Sequence, residues 1–214
     1  MRPFLPLLAG ALILVLGCAS NDPTPEQMLP DVLPTKGDVR AAYGVASDVR
    51  VVQTSDRYLP NDHRAGRFAG HGDNPTASEL EGAGRVTGYV GAYNLYAPMT
   101  ADRVSVALDL YADAQSASDA LTGFWRTDRR SFDVADLGDE AFGWPAIIAD
   151  TSDGREQFLC TCDLTFRVGR VVASVSINDH LVMHYEGLSA VQESIARVVA
   201  ARIRDEFGDG DTLS

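Results

Sequence analysis

Residues 158–177 read FLCTCDLTFRVGRVVASVSI, and this stretch decides the fold. Apolar residues alternate with other residues on both sides of Gly169, which predicts two antiparallel strands joined by a tight turn. The residues that share one face of this hairpin are Phe158, Cys160, Cys162, Leu164, Phe166, Val171, Ala173, Val175 and Ile177. An apolar sheet face of this kind has to be covered by another element.

The segment that follows the hairpin predicts a helix. Its apolar residues recur at helical spacing: Leu188, Val191, Ile195, Val198, Val199, Ile203 and Phe207. Ser189 and Gln192 fit a capping box at the start, and Gly208 fits the position after the last turn. The acidic tail, residues 208–214, is predicted to be flexible. Asp209 and Asp211 lack the spacing and the closing Glu of a calcium loop.

The chain before the hairpin predicts two strands, a helix and a further strand, at residues 86–96, 103–111, 113–126 and 141–150. The resulting order is β-β-α-β-β-β-α. Hairpins followed by helices favour an antiparallel sheet with helices packed on one face. We therefore expect a single α+β domain over residues 37–207, with residues 61–77 as a long Gly-rich loop.

The N-terminus predicts an export signal. Arg2 precedes an uncharged apolar run that is shorter than the roughly 20 residues that span a bilayer. The run ends at Val15-Leu16-Gly17-Cys18, which resembles the bacterial lipobox. That resemblance implies that residues 1–17 are a lipoprotein signal peptide and that Cys18 carries a covalent lipid. It also implies anchoring to the cell membrane or outer membrane, on the extracytoplasmic side.

Residues 18–36 follow the lipobox and contain several prolines among polar residues. This composition predicts a Pro-rich tether of extended character. Leu29 and Leu33 are apolar enough for part of the tether to dock on the domain.

The composition excludes several classes of function. The chain has 214 residues with 18 Lys+Arg against 30 Asp+Glu, a formal net charge of -12. Such a charge repels phosphate, so we expect no nucleic-acid partner. The single lysine, Lys36, falls in the predicted tether, which excludes a P-loop, a Ser-x-x-Lys site and Schiff-base chemistry. We expect no enzymatic activity and no cofactor besides the lipid.

Cys160 and Cys162 are the most unusual local feature of the predicted domain. Residues two apart on a strand have Cα atoms about 6.5–7 Å apart, at the upper limit for a disulfide. Three interpretations stay open: buried free thiols, a strained or redox-active disulfide, and part of a metal site.

Other candidate side chains are less specific. His180 and His184 lie four apart, but the Glu that a metalloprotease motif needs after the first His is Leu181 here. His63 and His71 lie in the Gly-rich loop. An aromatic set near the best strands is expected to pack in the core, with a ligand groove as the alternative: Tyr89, Tyr93, Tyr96, Trp125 and Trp144.

Residues 100–205 also resemble secreted sensor-like lipoprotein domains. The resemblance rests on the cysteine-bearing strand, the Val-rich return strand over residues 166–175 and the closing helix that ends near Ile203. Extracellular sensor domains of some mycobacterial kinases and the Mog1/PsbP-like lipoproteins share this pattern. It implies a non-enzymatic α+β module that binds an unknown protein or small-molecule ligand. The alternatives are an assembly factor of the envelope without a small ligand, and a redox protein using Cys160 and Cys162.

Overall fold

The computed structural model describes residues 23–44, 49–64, 75–97, 100–125, 132–150, 157–179 and 185–208. The strands are β1 Arg50–Tyr58, β2 Arg85–Ala97, β3 Thr100–Tyr111, β4 Phe132–Asp133, β5 Glu140–Asp150, β6 Gln157–Val168 and β7 Val171–Asp179. The helices are α1 Pro25–Val32, α2 Lys36–Ala42, α3 Asn61–Arg64, α4 Ala77–Gly82, α5 Ala114–Ala120 and α6 Tyr185–Phe207, with a π-helical turn at Leu121–Trp125.

The strands form one antiparallel sheet in the order β1-β2-β3-β7-β6-β5-β4. The predicted α+β class and the order β-β-α-β-β-β-α are confirmed, and the structure adds β1 and the two-residue β4. Gly169 sits in the β6–β7 turn with a φ of 54°, a left-handed conformation that glycine adopts without strain.

The main core lies between the sheet and the helices α1, α2 and α6. Alternate residues of β3 and β7 reach this core because successive side chains of a strand point to opposite faces. They are fully or almost fully buried: Val104, Val106, Leu108, Leu110, Val171, Ala173, Val175 and Ile177. Ile195, Val199 and Ile203 of α6 pack on them, as the helical spacing predicts.

A second, smaller core lies on the opposite face of the sheet, which the prediction of helices on one face did not include. Its members come from α4, α5, the π-helical turn and the outward residues of three strands: Leu80, Tyr111, Ala117, Ala120, Leu121, Phe142 and Val172. Val172 belongs to this core while Val171 and Ala173 belong to the first. Burial of apolar side chains on both faces therefore holds the two helical groups on one sheet.

The extended tether predicted over residues 18–36 is wrong for residues 25–32, which form α1, and α2 begins at its last residue, Lys36. Pro25 occupies the first turn of α1, and Thr24 with Gln27 forms a capping box. Leu29 and Val32 are completely buried in the main core, so docking favours the helix over an extended chain. Lys36 begins α2 and is exposed, so the single lysine belongs to the folded domain.

The start of α6 also differs from the prediction. The helix begins at Tyr185, which places Ser189 inside it, so Ser189 is not its N-cap. Gln192 has another role, since its side-chain amide donates to the Val175 carbonyl of β7 at 2.7 Å. Gly208 follows the helix with a φ of 74°, in the position that the sequence predicts.

Candidate functional site

A cavity of about 240 Å³ lies where the π-helical turn meets the β4–β5 hairpin. Its lining mixes apolar and polar side chains: Leu121, Thr122, Asp133, Val134, Glu140, Ala141 and Phe142. Small-molecule sites are typically concave and mostly apolar, with a few polar groups that orient the ligand. This cavity is concave, and its lining is an even mixture in which three of the seven residues are polar.

The local sequence explains how α5 is placed beside the cavity. Asp113 caps α5, because its carboxylate accepts the backbone N–H of Ser116 at 2.7 Å. Burial of Ala117 and Ala120 fixes the helix on the sheet. At Leu121 the helix widens into the π-helical turn, a feature that is common at functional sites.

Glu140 is a polar group of the cavity lining that is held by hydrogen bonds. Ser118 donates its hydroxyl to Glu140 Oε1 at 2.7 Å, and the Arg167 guanidinium donates to the same oxygen at 3.0 Å. Arg167 also contacts Asp139 at 2.9 Å, so one guanidinium is shared by two carboxylates. The described contacts of Glu140 all use its Oε1 oxygen.

A buried ionic cluster, named here the Asp109 cluster, consists of Asp109, Arg64 and Arg85. Arg64 Nη2 lies 2.9 Å from Asp109 Oδ2, and Arg85 donates to Oδ1 through Nε at 2.9 Å and Nη2 at 2.7 Å. Burial alone would raise the pKa of the Asp109 carboxyl, but the two guanidiniums hold this pKa below its usual value. Arg85 also donates to the Leu59 carbonyl at 2.9 Å. The cluster thus ties the segment after β1 to the middle of the sheet.

The N-terminal helices are fastened by polar contacts as well as by apolar packing. Tyr93 donates its hydroxyl to the Pro34 carbonyl at 2.6 Å, and burial raises the pKa of Tyr93 to about 12. Arg202 of α6 donates to the Leu33 carbonyl and contacts Asp38 at 2.7 Å. Burial opposes the charge of Asp38, yet hydrogen bonds from Thr35 and the charge of Arg202 lower its pKa.

Of the predicted site residues, Cys18 lies outside the described part of the chain, as do His71, His180 and His184. Cys160 and Cys162 are described by their backbone alone, which pairs with β5 and β7 in unbroken register.

His63 is exposed beside Asp62 at the end of α3, 3.9 Å from its carboxylate. Asp205 is an exposed residue of α6, and residues 209–214 are outside the description. In the described ranges, His, Cys, Asp and Glu nowhere form a group of three or more that could hold a metal ion.

The three aromatic candidates whose side chains are described, Tyr89, Tyr93 and Tyr96, do not share one groove. Tyr89 and Tyr93 are buried in the main core, and burial is the first cause that raises the pKa of Tyr89. Tyr96 is 48% exposed at the other end of β2. The side chains of Trp125 and Trp144 are outside the description.

Sequence reasoning missed Glu140 and the Asp109 cluster. Asp109 did carry a signal, because it stands between Leu108 and Leu110 in a strand whose other face is fully apolar. A charge in such a position is almost always paired when it is buried. Glu140 carried no comparable signal, since it is the first residue of β5 and directly follows another acidic residue, Asp139.

Across the part of the chain that the structure describes, no helix is both long and apolar enough to cross a membrane. The comparisons with known proteins find no matching family model and no matching curated protein. Among solved structures, the extracellular domain of PknH from Mycobacterium tuberculosis is similar at 12% identity and a TM-score of 0.45. The match covers 84% of this chain and 98% of that one. At this level of similarity, no property of that domain transfers to this chain.

Proposed function

We propose that this chain is a lipid-anchored extracytoplasmic lipoprotein that binds a ligand and catalyses no reaction. The observation that carries binding is the cavity of about 240 Å³ beside the π-helical turn. Its mixed lining, in which apolar side chains stand beside the carboxylates of Asp133 and Glu140, suits a small ligand with an apolar part and a hydrogen-bond donor.

Support for the anchor comes from the lipobox at Val15–Cys18. A Cys that carries more than one acyl chain holds a protein stably on a membrane. The net charge of -12 gives no attraction to anionic lipids, so the lipid itself must supply the affinity. We therefore propose residence on the outer face of the cell membrane or in the outer membrane, with no nucleic-acid partner.

Metabolic labelling with a palmitate analogue tests the anchor. The wild-type chain and a Cys160→Ala variant are expected to take up label, whereas Cys18→Ala is expected to take up none and to leave the membrane fraction. The Cys160→Ala variant is the matched control, because it also removes one of the 3 cysteines. Label on the Cys18→Ala protein would refute the anchor.

A fragment screen by ligand-observed NMR tests the cavity. Thr122 lines the cavity, and its neighbour Gly123 does not. Thr122→Trp should abolish binding of the fragments that are found, and Gly123→Trp should keep it, because a side chain at Gly123 meets open space. Fragments that bind both variants equally, or a screen that finds none, would contradict a ligand site in this cavity.

A further inference from the structure

The connection between Cys18 and the folded domain is short. The folded domain starts at the N-cap Thr24 of α1, and the lipobox cysteine is residue 18. A fully extended chain between these two Cα atoms spans at most about 20–22 Å. Because Leu29 and Val32 are completely buried, α1 is part of the domain and cannot serve as additional tether without loss of core contacts.

Contacts of α1 define which end of the domain this connection enters. Tyr58, the last residue of β1, donates its hydroxyl to the Glu26 carbonyl at 3.2 Å, in the first turn of α1. Seven residues later, Leu33 lies against Gly91 in the middle of β2. The N-terminus of α1 therefore lies at the end of the sheet where β1 finishes.

The strand register identifies the other elements at this end. Tyr58 pairs with Tyr89, β2 begins at Arg85 opposite Tyr111, and the β6–β7 turn joins Val168 to Val171. Tyr111 N donates to the Arg170 carbonyl of that turn at 3.0 Å. We name this the anchor end; the far end carries Tyr96, Arg103 and Asn178.

We infer that the lipid anchor holds the anchor end against the lipid surface and directs the far end away from it. This orientation rests on the proposed lipid anchor. The 13 residues of β2 run between the two ends, a length of about 43 Å at 3.3 Å per residue. The anchor end lies within about 20–22 Å of the bilayer surface, the reach of the connection.

The anchor end is negatively charged, so its contact with a membrane depends on the lipid on Cys18. Its exposed charged side chains are mostly carboxylates, with few arginines among them: Asp56, Arg57, Asp62, Glu79, Glu81, Asp113, Arg204, Asp205 and Glu206. Anionic headgroups repel such a surface. The cavity is also near this end, since Glu140 pairs with Arg167 beside the β6–β7 turn.

Energy transfer to a dye in the bilayer tests the orientation. The full chain, lipidated by the cell, is placed in phosphatidylcholine vesicles that contain a rhodamine-labelled lipid. A donor dye is attached at Glu81→Cys, near the anchor end, or at Arg103→Cys, at the far end; both residues are exposed. Both variants carry Cys160→Ser and Cys162→Ser and must keep the thermal midpoint of the unlabelled protein.

We expect at least about twofold more transfer from position 81 than from position 103, because Arg103 pairs with Asn94, which lies nine residues of β2, about 30 Å, from Arg85 at the anchor end. Inserting 30 Gly/Ser residues between Ser20 and Asn21 adds about 30 Å of mean reach and should bring the two values toward equality. Equal transfer without the insertion, in protein that floats with the vesicles, overturns the orientation and leaves the anchor intact. If the protein does not float together with the vesicles, both the anchor and the orientation are refuted.

Discussion

Asp109→Asn removes the negative charge from the Asp109 cluster while it keeps the size of the side chain. Asp109 is 1% exposed, and guanidinium nitrogens of Arg64 and Arg85 lie 2.7–2.9 Å from its oxygens. Asparagine presents an NH₂ group to one of these donors and removes the carboxylate charge that faces both buried guanidiniums. Breaking a buried ion pair by removing one partner costs about 3–5 kcal/mol.

This loss is a large share of the total stability, which is about 5–15 kcal/mol for a natural domain. For a domain of this size, each kcal/mol lowers the melting temperature by about 2–4 °C, so we expect a decrease of about 6–20 °C. Urea denaturation followed by circular dichroism measures the free energy of unfolding. Asp119→Asn on the exposed side of α5 is the control, and we expect its effect to be within about 0.5 kcal/mol.

The pH dependence gives a second measurement on the same variant. The folded pKa of Asp109 is below its ordinary value, so its stabilising contribution is complete above the unfolded pKa of about 3.9. The contribution is lost as the pH falls through the folded pKa. The stability difference between wild type and Asp109→Asn should therefore be constant from pH 7 to about pH 5 and shrink in stronger acid. A difference below about 1 kcal/mol at pH 7 would refute the reasoning, because a buried pair that is broken cannot cost so little.

Three other expectations follow from the packing. Gly88→Ala should destabilise the fold by about 1–3 kcal/mol, because the new methyl group would overlap the Arg85 side chain and lie 2.5 Å from the Leu108 carbonyl. Thermal unfolding measures this loss. Leu29→Ala should lower the free energy of unfolding by about 2–5 kcal/mol, as measured by urea denaturation, because Leu29 is completely buried. Met28 is only half-buried, so Met28→Ala should lower it clearly less. Equally small losses for the two variants would contradict a docked α1. The regular register of β6 keeps the Cα atoms of Cys160 and Cys162 about 6.5–7 Å apart, a distance that disfavours a disulfide between them. Both thiols should therefore be alkylated in denaturant without reductant. Mass spectrometry that finds neither cysteine modified would show a disulfide.

Sequence periodicity predicted the sheet well, because strands half-covered by helices repeat their apolar residues every second position. Val104 to Leu110 and Val171 to Ile177 show this pattern, and both lie in the main core. The heptad-like spacing of α6 was equally informative from Val191 to Ile203. In these elements the local pattern and the tertiary packing agree.

Periodicity could not say which face of the sheet a helix covers. Ala117, Ala120 and Leu121 form an apolar stripe that would fit either face. Their place opposite α6 depends on Phe142 and Val172, which contact them from distant strands. Such long-range complementarity is not encoded in any short window of sequence.

The N-terminal segment misled the prediction through its composition. Pro25 and Pro30 suggested an extended tether, but a proline in the first turn is compatible with a helix. Thr24 and Gln27, followed by Leu29 and Val32, form a capping box with an apolar pair four and seven residues after Pro25. The candidate cavity was less predictable still, since Thr122 and Glu140 meet only through the fold.

The docking of α1 has a mechanical consequence. A force applied through the chain before Pro25 reaches α1 first, while the sheet is protected by its lateral hydrogen bonds. The contacts of Arg202 with Leu33 and Asp38 fix the chain just beyond the helix. Tension would therefore unwind the 8 residues of α1 before it strains any strand. That release would lengthen the connection by about 15 Å, the difference between helical and extended rise, so α1 would act as a short extensible link that spares the cavity.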